Sequence, residues 1–289
     1  MQIINFLKNN KPTISFEVFP PKPNVDTKST FEAVEKISSL NPDFISVTYG
    51  AGGSNSKNTV DIASYVQNNC NTTALAHLTC VGASFSDIDL KLNALKERGI
   101  SNILALRGDM PLDANFNKKS DFNYASDLVS YVKKRGDFCV GGACYPEGHV
   151  ECANREIDLD NVKKKVEAGC DFLTTQMFFD NSVFYSFLYG LSTRGIAIPV
   201  IAGIMPITSG KQIKRSCELS GATLPTRFKR IIDKYGEDTE SMRQAGIVYA
   251  SEQIIDLLAN GVSGIHVYTM NKPDVAKAIY QNVHKLLGR

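Results

Sequence analysis

No stretch of this sequence approaches the roughly twenty consecutive apolar residues that a membrane-spanning helix needs, so a protein of the bilayer core is not expected. Met1 to Asn10 is a short amphipathic segment without the long apolar centre of a secretory leader. Basic residues do not gather into a block. No basic run exceeds three residues, as in Lys163-Lys164-Lys165, and the formal net charge is only +2, so charge gives no argument for a nucleic-acid partner or a membrane surface. The seven cysteines are odd in number and contain no C-x-x-C pair, which reads as reduced thiols, not a disulfide framework. Low-complexity segments and linkers are missing as well. The expectation is one cytoplasmic domain over residues 1–289.

What the sequence does contain is an alternation of short β-rich runs with helical patterns. The runs are Thr13–Val18, Phe44–Thr48, Thr72–Leu78, Asn102–Leu106, Phe138–Ala143, Phe172–Met177, Ile198–Ala202 and Gly264–Tyr268. Many are nearly continuous in apolar residues, as parallel strands covered on both faces must be. Between them, Ser86–Arg98 reads as a helix capped by Ser86, with Ile88, Leu92 and Leu95 on one face and Gly99 ending it. Asp158–Ala168 repeats the pattern with Leu159, Val162 and Val166. A helix from about Thr30 to Leu40 stops at Asn41-Pro42, because proline disfavours a helical residue before it. Eight such units predict an α/β fold, a (β/α)8 TIM barrel, with extra helices between strands 7 and 8 where Thr208–Leu258 holds about three helical patterns. An open doubly wound sheet is the competing architecture.

In a barrel of this kind the chemistry gathers at the C-terminal ends of the strands. The polar residues there are Glu17, Thr48 and Tyr49, His77, Arg107-Gly108-Asp109, Tyr145 and His149, Gln176, and Tyr268 with Asn271. Glu17 lies among aromatic and proline neighbours in Phe16–Lys22. That setting disfavours its charged form and suits a general acid, or else Glu17 is a surface carboxylate paired with Lys22. Asp109 either forms an ion pair with Arg107 across a turn or acts on a ligand, while Gly108 would let the backbone approach that ligand. The loop Gly50-Ala51-Gly52-Gly53-Ser54-Asn55 nears the G-x-G-x-x-G fingerprint but lacks its last glycine. Cys144, His149 and Cys152 lack the fourth ligand of a structural zinc site, so no metal is expected. Asp158, Asn161 and Lys165 share one helix face, with Lys164 beside them; the face is either simply solvated or grips a sugar and a pyrophosphate.

Nine segments in order then carry a resemblance. They are Phe16–Lys22, Val47–Ala51, Ala76–Cys80, Ala105–Pro111, Tyr124–Leu128, Tyr145–His149, Thr175–Asp180, Gly203–Pro206 and Tyr268–Asn271. With them the chain resembles the bacterial type of methylenetetrahydrofolate reductase over nearly its whole length. The resemblance implies a barrel that holds FAD without a dinucleotide-binding domain. It implies FAD contacts at Thr48, Tyr49, Ala51, His77, Arg107, Gly108, Asp109, Tyr124, Ala125, Tyr145, His149, Asp158, Asn161, Lys164 and Lys165. Glu17 would be the catalytic acid and Asp109 the aspartate that tunes flavin and pterin. Gln176, Gln212, Tyr268 and Lys272 would join Glu17 and Asp109 in holding folate. NADH or NADPH would give a hydride to FAD, leave, and be replaced by methylenetetrahydrofolate, so kinetics would be ping-pong and the protein a homo-oligomer. Lys272 stands where the family often has arginine, which keeps the charge but not the bidentate geometry. Ser216 stands where bacterial members can place an aromatic ring against the nicotinamide cofactor. The competing readings are another FAD-dependent barrel oxidoreductase, proline-dehydrogenase-like, and a flavin- or folate-binding barrel without turnover.

Overall fold

The structure is a computed structural model that describes residues 1–9, 11–21, 27–49, 56–109 and 120–289. Its elements, in order, are α1 (Ile3–Leu7), β1 (Thr13–Val18), α2 (Lys28–Ser38), β2 (Phe44–Val47), α3 (Ser56–Asn68), β3 (Thr73–Thr79), α4 (Phe85–Glu97), β4 (Asn102–Leu106) and α5 (Ala125–Lys133). There follow β5 (Cys139–Cys144), α6 (Arg155–Glu167), β6 (Phe172–Thr175), α7 (Asn181–Ser192), β7 (Val200–Ile204), α8 (Gly210–Ser220), α9 (Thr226–Tyr235), α10 (Thr239–Ala259), β8 (Gly264–Tyr268) and α11 (Pro273–Val283). The eight strands are parallel, pair in sequence order and close into a barrel, with β8 against β1 from Thr13↔Gly264 to Glu17↔Tyr268.

Strand alternation sorts the side chains. On β1, Ile14, Phe16 and Val18 enter the large apolar layer shared with the helices, while Ser15 and Glu17 belong to the barrel interior. The interior's lower layer is Phe44, Leu75, Leu104, Phe172 and Ile201, and α1 closes it from below with Ile3 and Leu7. Each such fully buried aliphatic or aromatic side chain contributes on the order of 1.5–3 kcal/mol. Asn102 fastens the plug: its Oδ1 accepts from the Ile3 amide at 2.8 Å and its Nδ2 donates to the Met1 carbonyl at 3.0 Å. The amphipathic N-terminus is therefore the floor of the barrel.

Local signals place most element ends. The cap of α4 is Ser84, two residues before the expected Ser86, because Ser84 and Asp87 form a reciprocal capping box. The helix still buries Ile88, Leu92 and Leu95, and Gly99 follows with φ 73°. β7 begins at Val200, not Ile198, since Pro199 has no N–H to give a ladder and only its carbonyl is used, by Leu173 at 2.9 Å. β6 stops at Thr175 and leaves Gln176 and Met177 in the loop above it. The three helices between β7 and β8 pack on an apolar cluster of their own, in which Phe228 stacks on Tyr249 at 4.0 Å and the Tyr249 hydroxyl donates to the Phe179 carbonyl at 2.6 Å. Among the described residues no helix is long and apolar enough to cross a membrane.

Candidate active site

A cavity of about 1070 Å³ opens at the C-terminal ends of the strands. β2 leads into it with Thr48 and Tyr49, β3 supplies His77, and β4 ends there at Arg107, Gly108 and Asp109. Tyr124 and Ala125 come from the start of α5, Tyr145 and His149 from the loop after β5, and Asp158, Asn161, Lys164 and Lys165 from α6. Every described residue that the resemblance gave to the flavin lies in this wall. Ala51, the glycine-rich loop 50–55 and Lys22 lie outside the described residues.

The wall is electrostatically mixed. Arg107 is bonded by Glu151, Nη1–Oε2 2.6 Å and Nη2–Oε1 2.9 Å, and its Nε donates to the Gly108 carbonyl at 3.2 Å. Of the two readings of Asp109, the ion pair with Arg107 is not formed: the chain turns at Gly108, with φ 87°, and leaves Asp109 exposed at the rim. Burial raises the Asp158 carboxyl above its ordinary value, opposed by Lys165 and by the His149 amide, and its Oδ2 has no hydrogen-bond partner among the described residues. Lys165 donates to the Ala143 carbonyl and Lys164 to Asn161 Oδ1 at 3.1 Å. Tyr145 packs edge-on against His149 at 4.5 Å, and burial pushes its hydroxyl up to about 12.

Glu17 stands beside this cavity, and the neighbours that matter to it are not the ones next to it in sequence. Phe16 and Val18 point away; the carboxyl Oε2 instead lies 3.7 Å from His77 Nε2 and 3.7 Å from His266 Nε2. Burial drives His77 down to about 4, with Glu17 opposing and His266 assisting, so its ring is neutral at pH 7. Ser46 meets His77 Nε2 at 2.5 Å, and Ser15 meets His266 Nδ1 at 2.8 Å. Tyr268, the β8 register partner of Glu17, sends its hydroxyl to the Thr175 carbonyl at 2.6 Å. That crossing passes over Gly203, where a Cβ would sit 2.3 Å from the Thr175 oxygen and 2.7 Å from the Tyr268 hydroxyl.

The other folate candidates form a third group. Gln176 accepts from the Met177 amide at 2.9 Å through Oε1, which sets its amide plane. Gln212 Oε1 accepts from the Thr208 amide at 3.3 Å, and Lys272 Nζ donates to Thr208 Oγ1 at 2.8 Å, so Gln212 and Lys272 meet at one threonine. Asn271 is a latch: it accepts from the Phe19 amide and donates to the Phe19 carbonyl, both at 2.9 Å. Sequence reading passed over His266, Ser15, Ser46, Thr175 and Thr208. The signal was present for the first three: polar residues two apart, such as Ser15 and Glu17 or His266 and Tyr268, face the same side of a strand. Among the described residues no cluster of three His, Cys, Asp or Glu could hold a metal ion.

A family model described as methylenetetrahydrofolate reductase matches residues 2–284. Methylenetetrahydrofolate reductase 1 of Schizosaccharomyces pombe is 35% identical over 277 residues, 94% of this chain and 46% of that protein. The 5,10-methylenetetrahydrofolate reductase of Escherichia coli is 33% identical over 266 residues, 92% of this chain and 88% of its own. The chain thus spans about half the length of the fungal and plant relatives it matches, and most of the bacterial ones. Among solved structures, a Clostridium thermocellum protein that binds two copies of 5-methyl-5,6,7,8-tetrahydrofolic acid superposes with a TM-score of 0.67 at 15% identity, covering 98% of each chain, a likeness of fold alone.

Proposed function

Because the chain belongs to the methylenetetrahydrofolate reductase family, we propose that it reduces 5,10-methylenetetrahydrofolate to 5-methyltetrahydrofolate, with NADH or NADPH as hydride donor and FAD as resident cofactor. The observation that carries this reading is the position of His77. It lines the large cavity and also lies 3.7 Å from Glu17, so a cofactor site and a half-buried carboxyl meet across one imidazole.

FAD fits the residues present. Arg107, Lys164 and Lys165 bring positive charge to the same wall, as a pyrophosphate requires. Asp158 Oδ2 is a buried acceptor without a donor among the described residues, which a sugar hydroxyl would satisfy. The flavin, when bound, supplies a two-electron hydride carrier that side chains lack, so nicotinamide and folate use the site in turn. Glu17 gives its proton to the bridging nitrogen of the folate's five-membered ring, and the ring opens to an iminium cation. Asp109, as a carboxylate at the rim, stabilises that cation and hydrogen-bonds the pterin. The Gln176 amide, fixed in plane by Met177, offers its NH₂ to the pterin or the nicotinamide. Tyr268 lines the folate beside Glu17, and Gln212 and Lys272 receive its acidic tail, Lys272 as a point charge.

The test is spectroscopic. The purified protein, supplied with FAD, should show flavin absorption that bleaches under NADH or NADPH without oxygen and returns on adding methylenetetrahydrofolate. The faster donor identifies the physiological nicotinamide. A protein that takes up no FAD, or whose reduced flavin ignores the folate, overturns the reading. Glu17→Gln should still be bleached by the nicotinamide, since that step needs no proton from the enzyme. It should lose about 10²–10⁴-fold in flavin reoxidation by the folate; loss of only the nicotinamide step would remove Glu17 from the acid role.

A further inference from the structure

Four lysine and arginine side chains stand among the described residues of the cavity wall: Lys91, Arg107, Lys164 and Lys165. Three of them are engaged by oxygen acceptors. Arg107 holds Glu151, Lys164 donates to Asn161 Oδ1 and Lys165 donates to the Ala143 carbonyl. Lys91 is different. It extends from the middle of α4, half-buried, and among the described residues its ammonium makes no hydrogen bond or ion pair. It lies instead over the Tyr49 ring, 5.0 Å from the centroid. The carboxylates on the same side of the cavity are committed to helix starts. Asp87, one turn before Lys91, accepts from the Ser84 amide at 3.0 Å, and Asp127 accepts from the Asn123 and Tyr124 amides at 2.9 Å.

The barrel sets where along the cavity this cation stands. Tyr49 follows β2, which pairs with β3 up to Val47↔Ala76, so Thr48 and Tyr49 lie beside the strand end that carries His77. His77 is the wall residue that also approaches Glu17, at 3.7 Å. A flavin that hands a hydride to a folate protonated by Glu17 must bring its reacting ring to this corner. Lys164 and Lys165, on α6, stand two strands further round the barrel, after β5. The charge at the His77 corner changes during turnover. The nicotinamide gives a neutral flavin ring a hydride, which is one proton and two electrons, and leaves as the oxidised cation; the ring gains one negative charge. It loses that charge when the hydride passes to the folate's iminium carbon. A cation at this corner therefore favours the reduced state over the oxidised one.

We propose that Lys91 is a tuning residue for the cofactor: carried over the Tyr49 ring to the His77 corner, its ammonium stabilises the negative charge that the bound flavin acquires on reduction and so raises its reduction potential. This rests on the reading of the cavity as the FAD site and of Glu17 as the acid of the folate step.

The test compares the two redox states of the bound flavin. The potential of the FAD-loaded protein is read by equilibration with a reference dye, for wild type and for Lys91→Met, which keeps the apolar stem and loses the charge. In Lys91→Met the ratio of reduced to oxidised flavin affinity should fall about tenfold, which for a two-electron couple is a potential lower by about 30 mV. Lys91→Arg keeps the charge and can stack on the same ring, so it should hold the wild-type value. The difference between wild type and Lys91→Met should shrink at high salt, because a half-buried ammonium is open to screening. An unmoved potential in Lys91→Met, or an equal fall in Lys91→Arg and Lys91→Met, overturns the proposal. So does a loss of flavin affinity that is the same in both redox states, which marks a structural lysine. Failure of the functional reading looks different: wild type would then take up no FAD, or Glu17→Gln would keep the folate step. Failure of the Lys91 proposal alone leaves an active flavoprotein whose potential is indifferent to the charge at Lys91.

Discussion

Arg107 holds Glu151 in a two-pronged ion pair, Nη1 to Oε2 at 2.6 Å and Nη2 to Oε1 at 2.9 Å. The pair ties the end of β4 to the loop after β5 across the mouth of the cavity. Both partners are partly in water, with Arg107 28% and Glu151 54% exposed, so the pair itself stabilises the fold by under about 1 kcal/mol. Arg107→Ala should accordingly shift the urea midpoint of the apoprotein only slightly. Its FAD affinity should fall by about 1.5–3 kcal/mol, the range for a hydrogen bond to a charged group. Equal flavin affinity in the two proteins would remove Arg107 from the cofactor site.

Asp158 presents the opposite balance. Its Oδ2 is buried without a partner among the described residues, which costs stability in the absence of a ligand. Asp158→Asn should leave the apoprotein unchanged or up to about 1 kcal/mol more stable, because the desolvation of a buried carboxylate outweighs what Lys165 and the His149 amide return. The thermal shift produced by saturating FAD should shrink. If apoprotein stability drops by several kcal/mol instead, the carboxylate is structural and not reserved for a ligand.

The steric limit at Gly203 predicts a local failure. Gly203→Ala would press its methyl into the Thr175 carbonyl and the Tyr268 hydroxyl. Overpacking of this kind costs about 1–3 kcal/mol, and the Tyr268–Thr175 bond should break. The variant should show lower unfolding free energy and a weakened folate step; unchanged values in both would mean that the barrel absorbs the methyl.

His77 makes stability depend on pH. Its pKa falls from 6.5 in the free side chain to about 4 in the fold. Between those values the unfolded chain binds a proton that the native state refuses. The contribution is therefore complete above pH 6.5 and is lost as the pH falls toward 4. About 2–3 kcal/mol should disappear between pH 7.5 and 4.5, by the conversion of 1.36 kcal/mol per unit. Denaturant titrations at both pH values should show a smaller difference in His77→Gln; an equal difference would assign the acid sensitivity to other groups.

Much of the cavity was legible because its residues are marked by position along the chain. A residue that follows an apolar strand lies at the barrel's upper rim, which is how His77, Arg107 and Tyr145 are found. Helical spacing likewise gathers Asp158, Asn161 and Lys165 on the α6 face that lines the cavity. The partners of those residues were not legible. Asp109, two residues away, was one candidate partner for Arg107, but the Arg107 guanidinium reaches Glu151 in the next loop. Glu17 was expected to take its character from Phe16 and Pro20. Alternation turns Phe16 outward, and the two rings near the carboxyl come from β3 and β8.

The eight strands, their order and the helical character of the segments between them are legible along the chain, because apolar runs, caps and proline stops act within a few residues. Which residues reach the rim is legible too, since a strand's end is a local event. What each rim residue faces depends on how the strands close on one another. Closing β8 on β1 brings Ser15 to His266, 251 positions apart, and a hydrogen bond between two such groups depends on barrel register, which no local pattern encodes. The environment of Glu17 is a product of that closure.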